Sequence, residues 1–187
     1  MQEEALDCAY QSHVELFTST LLPDEPTTYQ DAVESPHLQQ WHDAIVAKLQ
    51  AMEDINVWDI IPRPQDTNVI SCKWVFRLKH DADGKISHFK ARLVTRGFMQ
   101  VYGTDYLDTY APVTRLEMIR LLFALAIKKD WEIRQINVKT AYLNGDLNKE
   151  IFMEPPQGYN VPEGHVLLLK KVLYRLKQAR QQWYKHL

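Results

Sequence analysis

The sequence predicts an α+β fold. Apolar residues make up 45% of 187 positions, enough to bury a core and too many for a disordered chain. Stretches with an apolar period near 3.6 are interspersed with stretches that alternate, and no regular strand–helix–strand repeat links them. The length is that of one ordinary domain.

Residues 1–34 hold Pro23, Pro26, several threonines and eight acids without sustained periodicity. They are expected to form an acidic flexible leader, with the folded domain over 35–187. A helix is expected from Ser35-Pro36, serine capping and proline in the first turn. Leu38, Trp41, Ile45, Leu49 and Met52 continue it as one apolar stripe. Asn56–Ile61 reads as a short strand stopped by Pro62 and Pro64. Val69–His80 and Lys85–Thr95 read as a hairpin around Asp81-Ala82-Asp83-Gly84. Trp74 and Phe76 fall on one face of it and read as core rather than base-stacking residues. Residues 97–113 form a loop. Thr114 and Glu117 have capping-box spacing ahead of a helix whose stripe, Leu116, Ile119, Phe123, Ala126 and Ile127, is expected to be buried. Trp131–Val138, Glu150–Met153 and Val166–Leu169 read as strands, with a turn at Asn144-Gly145. Lys171–Leu187 reads as a helix.

Several function classes are excluded or disfavoured. No run approaches the ~18 apolar residues of a membrane span, and no membrane partner is expected. The acidic N-terminus lacks the pattern of a secretory signal. Cys8 and Cys72 give neither a disulfide framework nor a zinc spacing, and an intracellular setting is expected. The seven histidines show no metal-ligand spacing, so no histidine or cysteine metal site is expected. Phosphate-loop, dinucleotide, nucleophile-elbow and HExxH signatures are absent. Asp81 and Asp83 lack the downstream ligands of a calcium loop and read as turn residues. The net charge of −2 hides an asymmetry: residues 1–66 carry 13 acids and 2 bases, and residues 67–187 carry 11 acids and 20 bases. The basic part suits either a polyanion partner or a solvated face.

Five blocks carry more: KWVFRLK (73–79), GKISHFKARLVTRGFMQ (84–100), GTDYLDTYAPVTR (103–115), QINVKTAYLNGDLNKEIFMEPPQGY (135–159) and LYRLKQARQQWY (173–184). In this order they resemble the reverse transcriptase domain of Ty1/copia-type retrotransposons, part of a Pol polyprotein. The resemblance runs from about Trp41 to Leu187. It implies a partial right-hand polymerase fold, with fingers over about 41–134 and an incomplete palm over about 135–187. It implies an RNA template, an RNA–DNA duplex and deoxynucleoside triphosphates as partners, and Mg²⁺ as the family's cofactor.

The same resemblance implies site residues. Asn137 stands where the family carries its first metal-binding aspartate, and Tyr142 where an aromatic residue lies under the sugar. Magnesium prefers anionic carboxylate oxygens, and asparagine offers a neutral carbonyl. Losing about 3–5 kcal/mol of transition-state stabilisation lowers a rate roughly 10²–10⁴-fold. The family's Tyr-x-Asp-Asp pair does not occur in the 187 residues. The chain is therefore expected to be inactive as a polymerase and to hold no Mg²⁺ tightly. An alternative is a non-catalytic nucleic-acid-binding remnant, or a decaying gene fragment.

Lys73, Lys90 and Arg92 match cations that the family presents to template phosphate or to the nucleotide. Lys170, Lys171, Arg175 and Lys177 belong to a C-terminal run without acids. They are expected to follow a nucleic-acid backbone or to solvate a helix face. The last block departs from the family pattern LYGLKQAPRxWY: Arg175 replaces glycine, Arg180 proline and Gln181 arginine. Losing the proline predicts a longer helix. An open palm edge beside 131–138 predicts self-association.

Overall fold

The computed structural model describes residues 25–138 and 140–187. Its layout is α+β, with a four-stranded sheet, a separate two-stranded ribbon and four α-helices.

Part of the expected leader is folded. Thr28 caps helix α1 (Tyr29–Glu34) through a complete capping box with Asp31, and Ala32 is fully buried. Residues 1–24 lie outside the described residues. Ser35 ends α1 instead of starting the next helix. Its hydroxyl donates to the Ala32 carbonyl at 2.9 Å, and the residue before a proline avoids helical dihedrals. Helix α2 accordingly starts two residues late, at Leu38–Glu53. Trp41, Ile45, Leu49 and Met52 of the expected stripe are buried, and Leu38 is exposed.

The ribbon pairs β3 (Cys72–His80) with β4 (Ile86–Thr95) antiparallel. Trp74 faces Leu93, Phe76 faces Ala91 and Leu78 faces Phe89 across it, so these six side chains share one face. Helix α2 covers that face. Trp41 meets Phe76 and Phe89 edge-on, with ring centroids 5.1 and 4.8 Å apart, the arrangement that ring quadrupoles favour. Trp74 and Phe76 are core, as expected. The other face carries Lys73, Arg77 and Lys79, with Lys90 opposite Arg77 and Arg92 opposite Val75. At the hairpin tip the Asp81 carboxylate accepts the N–H groups of Asp83 and Lys85, and Gly84 takes φ +80°. That carboxylate serves the turn.

The sheet has the order β1-β6-β5-β2, from β1 (Trp58–Pro62), β2 (Val69–Ile70), β5 (Asp146–Met153) and β6 (His165–Lys171). Only β2 and β5 run parallel. Strands from both sides of position 134 thus share one sheet. Ile70, Ile151, Met153 and Leu167 join α2 and the ribbon in a single core cluster.

Several further expectations fail. Trp131–Val138 forms no strand and is exposed throughout. Its backbone finds no ladder partner among the described residues, and alternation alone cannot hold a strand without one. Helix α3 (Leu116–Lys129) forms, but its stripe is exposed: Ile127 reaches 80%, and of the five expected core residues only Ala126 is buried. No element among the described residues covers it, so good helix formers hold it. Its N-cap is Arg115, without a side-chain cap, so the Thr114–Glu117 box is not made. Finally, Lys171–Leu187 is helical only in α4 (Ala179–His186). Strand β6 runs to Lys171, and residues 172–178 form a turn in which Arg175 adopts φ +71°. The chain breaks at Arg175, not at 180. Arg180 sits in the first turn of α4, where proline is equally acceptable, so its replacement lengthens nothing.

Candidate nucleic-acid interface

The base of the ribbon and the 172–178 turn meet closely. Thr95 donates its N–H and its hydroxyl to the Tyr174 carbonyl, both at 3.0 Å. A Cβ on Gly97 would lie 1.9 Å from the Arg175 carbonyl oxygen, so only glycine allows this approach. Beside this joint opens a cleft of about 380 Å³ lined by Lys73, Thr95, Arg96, Gly97, Phe98, Arg175 and Lys177. Four of the seven are cations, and all four are exposed. Among the described residues none of the four lies within salt-bridge distance of a carboxylate. Phe98 stands at the wall, 75% exposed.

Buried polar groups hold the cleft's two walls in register. Gln178 donates to the Asp105 carbonyl at 3.0 Å and accepts from Gln100 at 3.1 Å. Gln100 in turn accepts the Lys177 N–H at 2.7 Å. The Asp105 carboxylate takes the Val101 N–H and the Asn68 amide, both at 2.7 Å. Satisfied networks of this kind specify one arrangement, and each member is costly to remove.

A second cationic group lies along the ribbon. Burial, then the charges of Lys90 and Arg92, pushes the Lys48 ammonium below its usual pKa. Burial, then Arg92 and Lys79, does the same to Lys90. Like charges hold each other down here, which an arriving anion would relieve.

The family model described as Reverse transcriptase (RNA-dependent DNA polymerase) matches residues 55–187. The chain belongs to this reverse transcriptase family. It is 38% identical over 162 residues to the Retrovirus-related Pol polyprotein from transposon TNT 1-94 of Nicotiana tabacum, covering 86% of this chain and 12% of that protein. To the Retrovirus-related Pol polyprotein from transposon RE1 of Arabidopsis thaliana it is 34% identical over 172 residues, covering 90% and 12%. An uncharacterised mitochondrial protein of Arabidopsis thaliana is 35% identical over 111 residues, 59% of this chain and 64% of that protein. The chain thus spans about an eighth of the length of the polyprotein relatives. No solved structure matches it significantly. The Ty1/copia-type resemblance carried by the five blocks is borne out.

Of the residues singled out in this reverse transcriptase chain, Lys73, Arg175 and Lys177 come together in the cleft. Lys90 and Arg92 lie along the ribbon instead. Lys170 and Lys171 are turned to the sheet, paired with Asp59 and Asp146, each at 2.6 Å. Tyr142 is half-buried in a 3₁₀ turn (Ala141–Asn144) and packs edge-on against Tyr174 at 5.1 Å. It lines a different groove, with Pro112, Arg180 and Trp183. Asn137 lies in the exposed irregular segment. Arg96 and Phe98 also line the cleft, and their one sequence signal is their place on either side of the close-packed Gly97. Among the described residues no three His, Cys, Asp or Glu side chains gather as a cation site. Asn137 offers a cation only a neutral carbonyl oxygen, a weaker ligand for magnesium than a carboxylate.

Proposed function

We propose that this chain is the fingers and first palm portion of a Ty1/copia-type RNA-directed DNA polymerase, with a right-hand polymerase fold, and that its own activity is phosphate-backbone binding without catalysis. The observation that carries the reading is the cleft that gathers Lys73, Arg96, Arg175 and Lys177 around one opening. Lysine and arginine there neutralise phosphates of an RNA template, an RNA–DNA duplex or a nucleotide triphosphate, and displaced counterions drive the association. Arginine adds bidentate geometry. Phe98 offers a stacking face to an unpaired base, which every base can use and which gives no sequence preference. The absence of catalysis in these residues rests on Asn137, which offers a neutral carbonyl oxygen where magnesium favours a carboxylate.

Fluorescence anisotropy with labelled single-stranded RNA and with an RNA–DNA hybrid tests the reading. Affinity is expected to fall steeply between about 50 and 200 mM salt and to be indifferent to sequence. Lys73→Gln with Lys177→Gln is expected to weaken binding and to flatten the salt slope by about 0.7 for each phosphate no longer neutralised. Affinity indifferent to salt, or unaffected by the double substitution, rejects the cleft as the site. Template-dependent primer extension with Mg²⁺ or Mn²⁺, in a preparation free of other polymerases, rejects the non-catalytic assignment.

A further inference from the structure

The segment ahead of α1 lies along the outer edge of the ribbon. Glu25 accepts the Leu78 N–H at 2.8 Å through one carboxylate oxygen and pairs with the Arg77 guanidinium through the other. Leu78 faces Phe89 across the ribbon without using this N–H, so Glu25 covers an open edge as well as a charge. Glu25, Pro26 and Thr27 border a groove of about 160 Å³ that also takes in Lys73 and Arg77. Lys73 belongs to this groove and to the basic cleft alike. The two basic residues are four positions apart on one strand and so share a face, about 13 Å apart. A polyanion leaving the cleft past Lys73 along that face meets Arg77 next.

Glu25 is held in place by folded structure. Two residues on, Thr27 donates its N–H and its hydroxyl to the Asp31 carboxylate, which also accepts the Thr28 N–H, and α1 buries Ala32. Burial alone would raise the Glu25 pKa, but the Leu78 N–H and the Arg77 hydrogen bond and charge outweigh it, and the carboxyl is held below its usual range. A carboxylate that takes a backbone N–H and an arginine together makes the contacts a phosphate group would make.

We infer that Glu25 is a built-in phosphate mimic: it occupies Arg77 and the ribbon edge, and nucleic acid extending from the basic cleft must displace it. The inference rests on the nucleic-acid reading above and adds its regulation. The acidic segment thereby lowers affinity for polyanions long enough to reach Arg77 from the cleft.

The test is Glu25→Gln in the full chain, since glutamine keeps an oxygen for the Leu78 N–H and loses only the charge. Binding of a labelled single-stranded RNA is measured at about 50 mM salt and along a salt series. Exposed ion pairs are worth little, so Glu25→Gln is expected to tighten binding roughly two- to five-fold. It is also expected to steepen the salt slope by about 0.7 as Arg77 is freed. Glu163→Gln, an exposed acid elsewhere, is the control for net charge and is expected to match the unsubstituted chain. In an Arg77→Gln background, Glu25→Gln is expected to change nothing. Equal affinity of Glu25→Gln and the unsubstituted chain, an equal gain from Glu163→Gln, or a gain that persists without Arg77 each overturns the inference. Salt-dependent binding with no effect of Glu25 removes this inference alone. No binding by either chain removes the nucleic-acid reading as well.

Discussion

Arg175→Gly separates what a residue contributes to the fold from what it contributes to the site. Arg175 holds φ +71°, where a side chain other than glycine costs about 1–2 kcal/mol. Glycine there removes that strain but loses about 0.5–1 kcal/mol more backbone entropy on folding. The expected net effect is a stabilisation of about 0.5–1 kcal/mol, read as a urea midpoint about 0.3–0.5 M higher with an unchanged slope. The same substitution removes one of four cations from the cleft. RNA binding is therefore expected to weaken, with the salt slope flatter by about 0.7. Opposite signs for stability and binding are the signature. The partner residue behaves differently: Gly97→Ala places a Cβ 1.9 Å from the Arg175 carbonyl and is expected to destabilise by about 2–3 kcal/mol. An Arg175→Gly chain with a lower midpoint, or with unchanged RNA affinity, refutes the reasoning.

Other outcomes follow from named contacts. Hydrogen bonds from Thr27, then Thr28, hold the Asp31 carboxyl down at about 2. A depressed carboxylate stabilises above its unfolded value, near 3.8, and that contribution is lost as pH falls through the folded value. In acid titrations followed by NMR, α1 is thus expected to loosen between about pH 4 and 2, and Asp31→Asn to abolish that step. Gln178→Ala, which strips partners from Gln100 and the Asp105 carbonyl, is expected to cost about 2–3 kcal/mol in urea titrations. The exposed Leu121, Leu122 and Leu125 of α3 predict concentration-dependent association in light scattering, reversed by Leu121→Lys with Leu125→Lys. A monodisperse unsubstituted monomer at high micromolar concentration contradicts it.

The sequence was legible where local chemistry and burial agree. The α2 stripe, the ribbon and its Asp81–Gly84 turn all carry their own signals, and a cover for the apolar face lies within the same chain. The same signals misled where the cover is missing: the stripe of α3 and the alternation of 131–138 are present, and nothing among the described residues packs on them. Capping spacing was ambiguous for another reason. Thr28 and Asp31 form a box that periodicity did not flag, whereas Thr114 and Glu117 do not form theirs, because backbone entry angle decides and spacing alone does not. Of the site, the cations could be counted in advance. That Lys73 would meet Arg175 and Lys177, and that Lys170 and Lys171 would turn to Asp59 and Asp146, depends on a ribbon base docking on a distant turn. The close approach at Gly97 that creates the cleft has no local signature.

The pairing of β1 with β6 has a consequence for synthesis. Trp58 of β1 sits opposite Leu169, roughly a hundred residues downstream. At ribosomal speeds of about 5–20 residues per second, β1 waits on the order of 5–20 seconds for its neighbour. The ribbon closes on itself through a short turn and needs no such wait, and α2 can settle on it as soon as β4 emerges. The nascent chain therefore passes through a state with a finished ribbon and a half-built sheet. In that interval Ile60 and Ile61 have only solvent, or a chaperone, where β6 will lie.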